Sequence, residues 1–216
     1  MNNEFSNIAP PSYDKSMQDP NNDQNNREEK FREIVDKYEI SMDFAQRLQQ
    51  LSGFTVVFIF DDSGSMNAPL MNSPLNNDNT LLKATRFDEL KYFAKIAIEI
   101  ISLFDPEGAS VYFLNKQPSP IHNIRTEQQL DDLFNFRPRG YTPLPRVLNT
   151  VLRNNEAMLA ERKLLILIAT DGEPTTDRGK PAIGEFAEAL QRRSQRVYTT
   201  IVACTDDDDS VDYLNK

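Results

Sequence analysis

Alternating strand and helix patterns from Phe54 onward predict an α/β protein built on a doubly wound, mostly parallel sheet with helices on both faces. Two observations carry this expectation. The runs FTVVFIF (residues 54–60) and KLLILIAT (163–170) are apolar and β-branched at nearly every position, the pattern of strands covered on both faces. Around them, apolar residues recur at intervals of three and four, the period of helices that bury one stripe.

Taken in chain order, residues 1–27 are rich in Asn, Asp, Gln and Pro and poor in branched aliphatics. Such a segment buries too little surface to offset its ordering entropy, so it reads as a disordered tail. Within it, Pro10, Pro11 and Tyr13 form a PPSY tetrapeptide, the kind of polyproline II turn that a WW domain reads. Residues 28–52 form an N-terminal helical extension of two short helices. Phe31, Ile34 and Val35 mark the first; Ser41 as N-cap with Phe44, Leu48 and Leu51 mark the second. The extension reads as a cap packed on the main domain rather than as a separate docking module.

Residues 53–216 form that main domain. After FTVVFIF, the stripe Leu90, Phe93, Ala94, Ala97, Ile101 and Phe104 predicts a helix over 86–104. ASVYFL predicts a strand and SPIHNI a weaker one at an edge. Thr126 and Gln129 make a capping box ahead of Leu130, Leu133 and Phe134, and a further helix is expected over 144–160. KLLILIAT leads to a helix near 181–193 and then to the strand RVYTTIVAC.

Composition narrows the function. Lys and Arg number 24 against 33 Asp and Glu, a formal net charge of -9, so the chain has no general attraction for nucleic acid or anionic lipid. Cys204 is the one cysteine, which rules out an internal disulfide. The N-terminus lacks a basic-plus-apolar leader, and no apolar stretch approaches the roughly 20 residues of a membrane span. A soluble, cytoplasmic protein without membrane insertion is expected.

The chemistry gathers at strand ends. In a parallel sheet the loops after the strands share one edge, and ligands sit where strand order reverses. Asp61, Ser63 and Ser65 follow the first strand, and Asp171 follows KLLILIAT. Were those strands neighbours, Asp61 and Asp171 would repel unless a proton or cation lay between them. Carboxylate and hydroxyl oxygens are hard ligands that suit Mg²⁺, Ca²⁺ or Mn²⁺.

The succession Asp61-x-Ser63-x-Ser65, RGYTPL with Thr142, and ATDGEP with Asp171 resembles the metal-ion-dependent adhesion site (MIDAS) of von Willebrand factor type A (vWA) domains. The likeness spans about residues 54–216. It implies that Asp61, Ser63, Ser65, Thr142 and Asp171 hold a divalent cation, Mg²⁺ with Mn²⁺ or Ca²⁺ as alternatives. It further implies that a protein partner completes the coordination with an Asp or Glu. Such a domain is a protein-protein interaction module and not an enzyme. The family carries a further strand and closing helix after the IVAC strand, so the resemblance implies a truncated or divergent C-terminus here. Asp62 stands at a variable position of the motif and reads as an electrostatic neighbour.

Two alternatives remain. A Mg²⁺-dependent phosphohydrolase of the haloacid dehalogenase type also places an aspartate after its first strand, but asks for a second aspartate where Ser63 stands. A scaffold domain with a purely structural metal is the other. The remaining polar features read plainly: Asp206–Asp209 as a solvated acidic loop, His122 as an edge-strand residue, Cys204 as a small core residue. RPRG (137–140) is either a solvated loop or a means of steering acidic groups toward the site.

Overall fold

The computed structural model describes residues 20–76, 82–205 and 213. Five strands, β1 (Phe54–Phe60), β2 (Ala109–Phe113), β3 (Ile121–Ile124), β4 (Lys163–Thr170) and β5 (Val197–Ala203), form one sheet in the order β3-β2-β1-β4-β5. All neighbours run parallel except β2 and β3, which are antiparallel. The helices are α1 (Pro20–Lys37), α2 (Met42–Leu48), α3 (Arg86–Phe104), α4 (Glu127–Leu133), α5 (Leu144–Asn154) and α6 (Ile183–Gln191).

β1 is apolar throughout because its alternate side chains enter two different hydrophobic clusters. Val56, Phe58 and Phe60 pack with Leu90, Ala94 and Ile98 of α3 and Leu130 of α4. Val57 and Ile59 pack with Val147, Leu148 and Val151 of α5 and Phe186 of α6. In β4, Leu164, Ile166 and Ile168 join the second cluster, while Leu165 and Leu167 lie against the first. Phe134 ties the first cluster together, its ring within 5.5 Å of both Phe60 and Phe113.

Local signals place most helix starts. Thr126 and Gln129 form the expected capping box of α4, and Thr85 with Asp88 forms another at α3. Ser41 accepts a hydrogen bond from Phe44 N and caps α2. Two boundaries and one helix face differ from expectation. α1 begins at Pro20, so residues 20–27, placed in the tail by composition, are helical; proline fits the first turn, where its missing N–H costs nothing. α5 stops at Asn154 rather than at Ala160, because the side chain of Asn155 competes for the Val151 carbonyl at 2.8 Å, and Ala157–Ala160 forms a separate 3-10 turn. In α2, Ala45 is buried and Leu48 half-buried while the expected Phe44 is exposed; seven residues specify a helix face only weakly.

α1 lies against α3. Ile34 is buried, the Phe31 ring meets Phe104 edge-on at 5.5 Å, and Tyr38 Oη donates to Glu99 at 2.6 Å. Among the described residues no helix is long and apolar enough to cross a membrane. The PPSY tetrapeptide and Asp206–Asp209 lie outside the described residues. So does SVDYLNK apart from Tyr213, which is buried with the second cluster.

Strand order decides where the loops converge. From β1 the chain crosses to β2 on one side, and later places β4 on the other. Order reverses between β1 and β4, where Phe60 pairs with Ala169, and the crevice beyond their carboxyl ends is the topological switch point.

Candidate metal centre

Asp61 is the first residue past β1. Its backbone N–H donates to the Ala169 carbonyl at 2.9 Å, carrying the β1–β4 pairing one step beyond the strand. Its Oδ1 accepts Ser63 N–H at 2.8 Å in an Asx-type turn, and its Oδ2 accepts the Thr170 hydroxyl at 2.5 Å. The carboxylate is therefore fixed before any ligand arrives. Ser65 Oγ donates to Asp171 Oδ1 at 2.8 Å. Its single proton being used there, the 2.9 Å contact between the two serine hydroxyls has Ser63 donating to Ser65. A chain from Ser63 through Ser65 to Asp171 thus joins the loop after β1 to the loop after β4.

The third stretch is tied to both. Gly64 N–H donates to the Gly140 carbonyl at 3.0 Å. Gly140 has φ of 99°, and a Cβ there would sit 2.6 Å from Asn115 Oδ1, so glycine alone fits this approach. Thr142 N–H donates to Thr175 Oγ1 at 3.0 Å, and Thr175 N–H returns a bond to the Thr142 carbonyl at 2.8 Å. All three sequence stretches therefore meet at the switch point, with Asp61, Ser63, Thr142 and Asp171 buried and Ser65 exposed.

Burial dominates the electrostatics. It pushes the Asp61 carboxyl up to about 7, and the negative charge of Asp171 adds to the shift; hydrogen bonds from Thr170 and Ser63 oppose it. One counter-charge is present. Arg86 Nη1 lies 2.8 Å from Asp171 Oδ2, the arginine side chain only 15% exposed and the aspartate wholly buried. Arg86 Nε is buried with no hydrogen-bond partner among the described residues. Sequence reasoning missed this residue. A signal existed: Arg86 opens α3, and a cation at a helix N-terminus opposes the helix dipole, so it needs a partner from elsewhere.

Asp62 points away from this group. Its Oδ1 accepts Asn115 N–H at 2.8 Å and its Oδ2 accepts Lys116 N–H at 2.7 Å, closing the carboxyl end of β2. Cys204 is buried, and that burial, reinforced by the charges of Asp61 and Asp171, pushes its thiol up to about 12, which disfavours the thiolate. His122 lies on edge strand β3, its Nδ1 2.9 Å from Ser110 Oγ.

The donor set is entirely hard oxygen. When both are ionised, Asp61 and Asp171, set against Arg86, leave one unit of negative charge in excess in a buried crevice. Among the described residues no group of three or more His, Cys, Asp or Glu is arranged to hold a metal. A site here has two carboxylates and must take its other ligands from hydroxyls, which suits Mg²⁺ and disfavours Zn²⁺ or Cu²⁺. In comparisons with known proteins, the sequence matches no family model and no curated protein sequence.

Proposed function

We propose that this chain is a non-catalytic protein-interaction domain of the vWA kind, in which a divalent cation, Mg²⁺ first, receives an Asp or Glu side chain from a protein partner. Asp61, Ser63, Ser65, Thr142 and Asp171 would hold the ion. The observation that carries the reading is the hydrogen-bonded chain from Ser63 through Ser65 to Asp171 beside the buried Asp61, which gathers hard oxygens from two loops at the switch point. The doubly wound arrangement with helices on both faces is supported by the two clusters that the alternate residues of β1 enter.

Charge supplies the rationale for an acidic partner. With Asp61 and Asp171 both ionised the crevice holds one excess negative charge, so a bound divalent ion would leave one excess positive charge there. A third protein carboxylate would cancel that attraction; the hydroxyls of Ser63, Ser65 and Thr142 do not. Thr170 and the Ser63 amide keep Asp61 oriented, and Arg86 does the same for Asp171. The hydrolase alternative is disfavoured by Ser63 at the position where that chemistry uses a second carboxylate.

Calorimetric titration of Mg²⁺ and Mn²⁺ tests the reading. Wild type is expected to bind; Asp61→Ala is expected to lose affinity outright, and Thr142→Ala to weaken it with the fold intact, since the bonds that tie Thr142 to Thr175 run through its backbone N–H and carbonyl. Absence of divalent binding by wild type, or wild-type binding by both variants, would remove the metal site.

A further inference from the structure

Next to the crevice is a cavity of about 750 Å³ whose walls include Asp62, Lys116, Phe136, Arg137 and Arg139. Its accessible charge is positive. Arg137 and Arg139 are exposed, and neither forms an ion pair among the described residues; Arg137 Nε reaches only Asn67 Oδ1, at 3.3 Å. Lys116 Nζ donates to the Leu133 carbonyl and lies 4.4 Å from the centre of the Phe136 ring; it forms no ion pair among the described residues, though the Asp62 charge acts on it. Asp62, the one acidic lining residue, has both oxygens occupied by the Asn115 and Lys116 amides. Two arginines without ion-pair partners among the described residues thus line one hollow, beside a lysine on which the Asp62 charge acts, in a chain whose net charge is -9.

The hollow and the crevice share their walls. Asp61 and Asp62 are adjacent, and Arg139 N–H donates to the Asp62 carbonyl at 2.8 Å. Asn115 Nδ2 bonds both Asp62 Oδ1, at 3.1 Å, and the Tyr141 carbonyl, at 2.9 Å, which fixes the run from Arg139 to Thr142 along the boundary. A ligand seated at Thr142 is therefore within reach of Arg139.

We propose that this cavity receives a second carboxylate of the same partner segment, so that the ligand is an extended acidic stretch rather than a lone Asp or Glu. The proposal rests on the reading above for the first carboxylate. In an extended chain, side chains on one face repeat every roughly 7 Å, so Glu-x-Glu spacing suits two adjoining subsites. Arginine forks favour carboxylates bidentately, and Phe136 offers the apolar wall against which the side-chain stems can lie.

The test uses fluorescein-labelled peptides on the full chain, read by anisotropy in Mg²⁺ and in chelator. One peptide alternates Glu with Ser; a second keeps a single Glu and has Gln elsewhere; a third replaces the Glu residues with phosphoserine. Wild type is expected to prefer the alternating-Glu peptide at least tenfold over the single-Glu peptide. Arg137→Glu with Arg139→Glu, both at exposed positions, should erase that preference without lowering the melting temperature or weakening Mg²⁺ binding, which added negative charge beside the crevice can only favour. Undiminished preference in the charge-reversed protein overturns the proposal, as does much tighter binding of the phosphoserine peptide. The two readings fail separately: Mg²⁺-independent binding that charge reversal abolishes keeps the cavity and removes the metal, and Mg²⁺-dependent binding indifferent to charge reversal does the opposite.

Discussion

Asp61 and Arg86 make opposite contributions to the metal-free protein. A carboxyl raised to about 7 is held protonated by the folded state more strongly than by the unfolded chain. Its stabilising effect is complete below the unfolded value near 4 and disappears as pH rises through 7. In chelator, stability should therefore fall from pH 4 to pH 7, and Asp61→Asn should flatten that fall and raise the melting temperature at pH 7. The expected gain is on the order of a few kcal/mol, since the shift is that of a fully buried group. Melting curves of both proteins across this range check it; identical slopes would sink the argument. Arg86→Met should do the reverse, leaving Asp171 buried without its cation at a cost of about 3 kcal/mol. Excess Mg²⁺ should recover part of that loss in this variant, because an ion can supply the missing positive charge.

Among the elements, α1 contributes packing remote from the crevice. Ile34 is buried against α3, and Lys37 and Tyr38 both reach Glu99, at 2.9 and 2.6 Å. Ile34→Ala should cost about 2 kcal/mol by leaving a small cavity, and should expose α1 to protease, while Mg²⁺ affinity stays as in wild type. A change in metal binding would mean that the helix supports the site as well as the sheet. Local codes made the elements themselves legible: the continuous apolar runs of β1 and β4, and the Thr126–Gln129 capping box, each involve residues near one another in sequence. Asp61 and Asp171 were readable for the same reason, each standing directly after a strand. What escaped notice was non-local. Arg86 meets Asp171 across 85 positions, and the direction Asp62 faces depends on amides at the end of β2. Phe44, expected on the apolar stripe, is exposed because so short a helix takes its orientation from its neighbours.

For the molecule as a whole, the proposed ion site would couple ion binding and folding through the same carboxylate. Any ligand that binds the folded state alone stabilises it by an amount that grows with ligand concentration over Kd, roughly 2.7 kcal/mol at a hundredfold excess. A metal ligand must be deprotonated, so Mg²⁺ at the proposed site would compete with the proton that Asp61 carries below about 7. At pH 5 most metal-free molecules hold that proton, and added Mg²⁺ should change the melting temperature little. At pH 8 the proton is gone, the metal-free crevice carries its full repulsion, and Mg²⁺ both relieves it and gains its ligands. Melting temperatures in excess Mg²⁺ and in chelator should thus lie close together at pH 5 and separate progressively toward pH 8. Asp61→Asn should hold the two curves together throughout, because the variant has neither the proton nor the charged ligand. Curves that stay parallel for wild type, or that separate equally for the variant, would show that Asp61 and the ion do not share one site, even if Mg²⁺ binds elsewhere on this acidic chain.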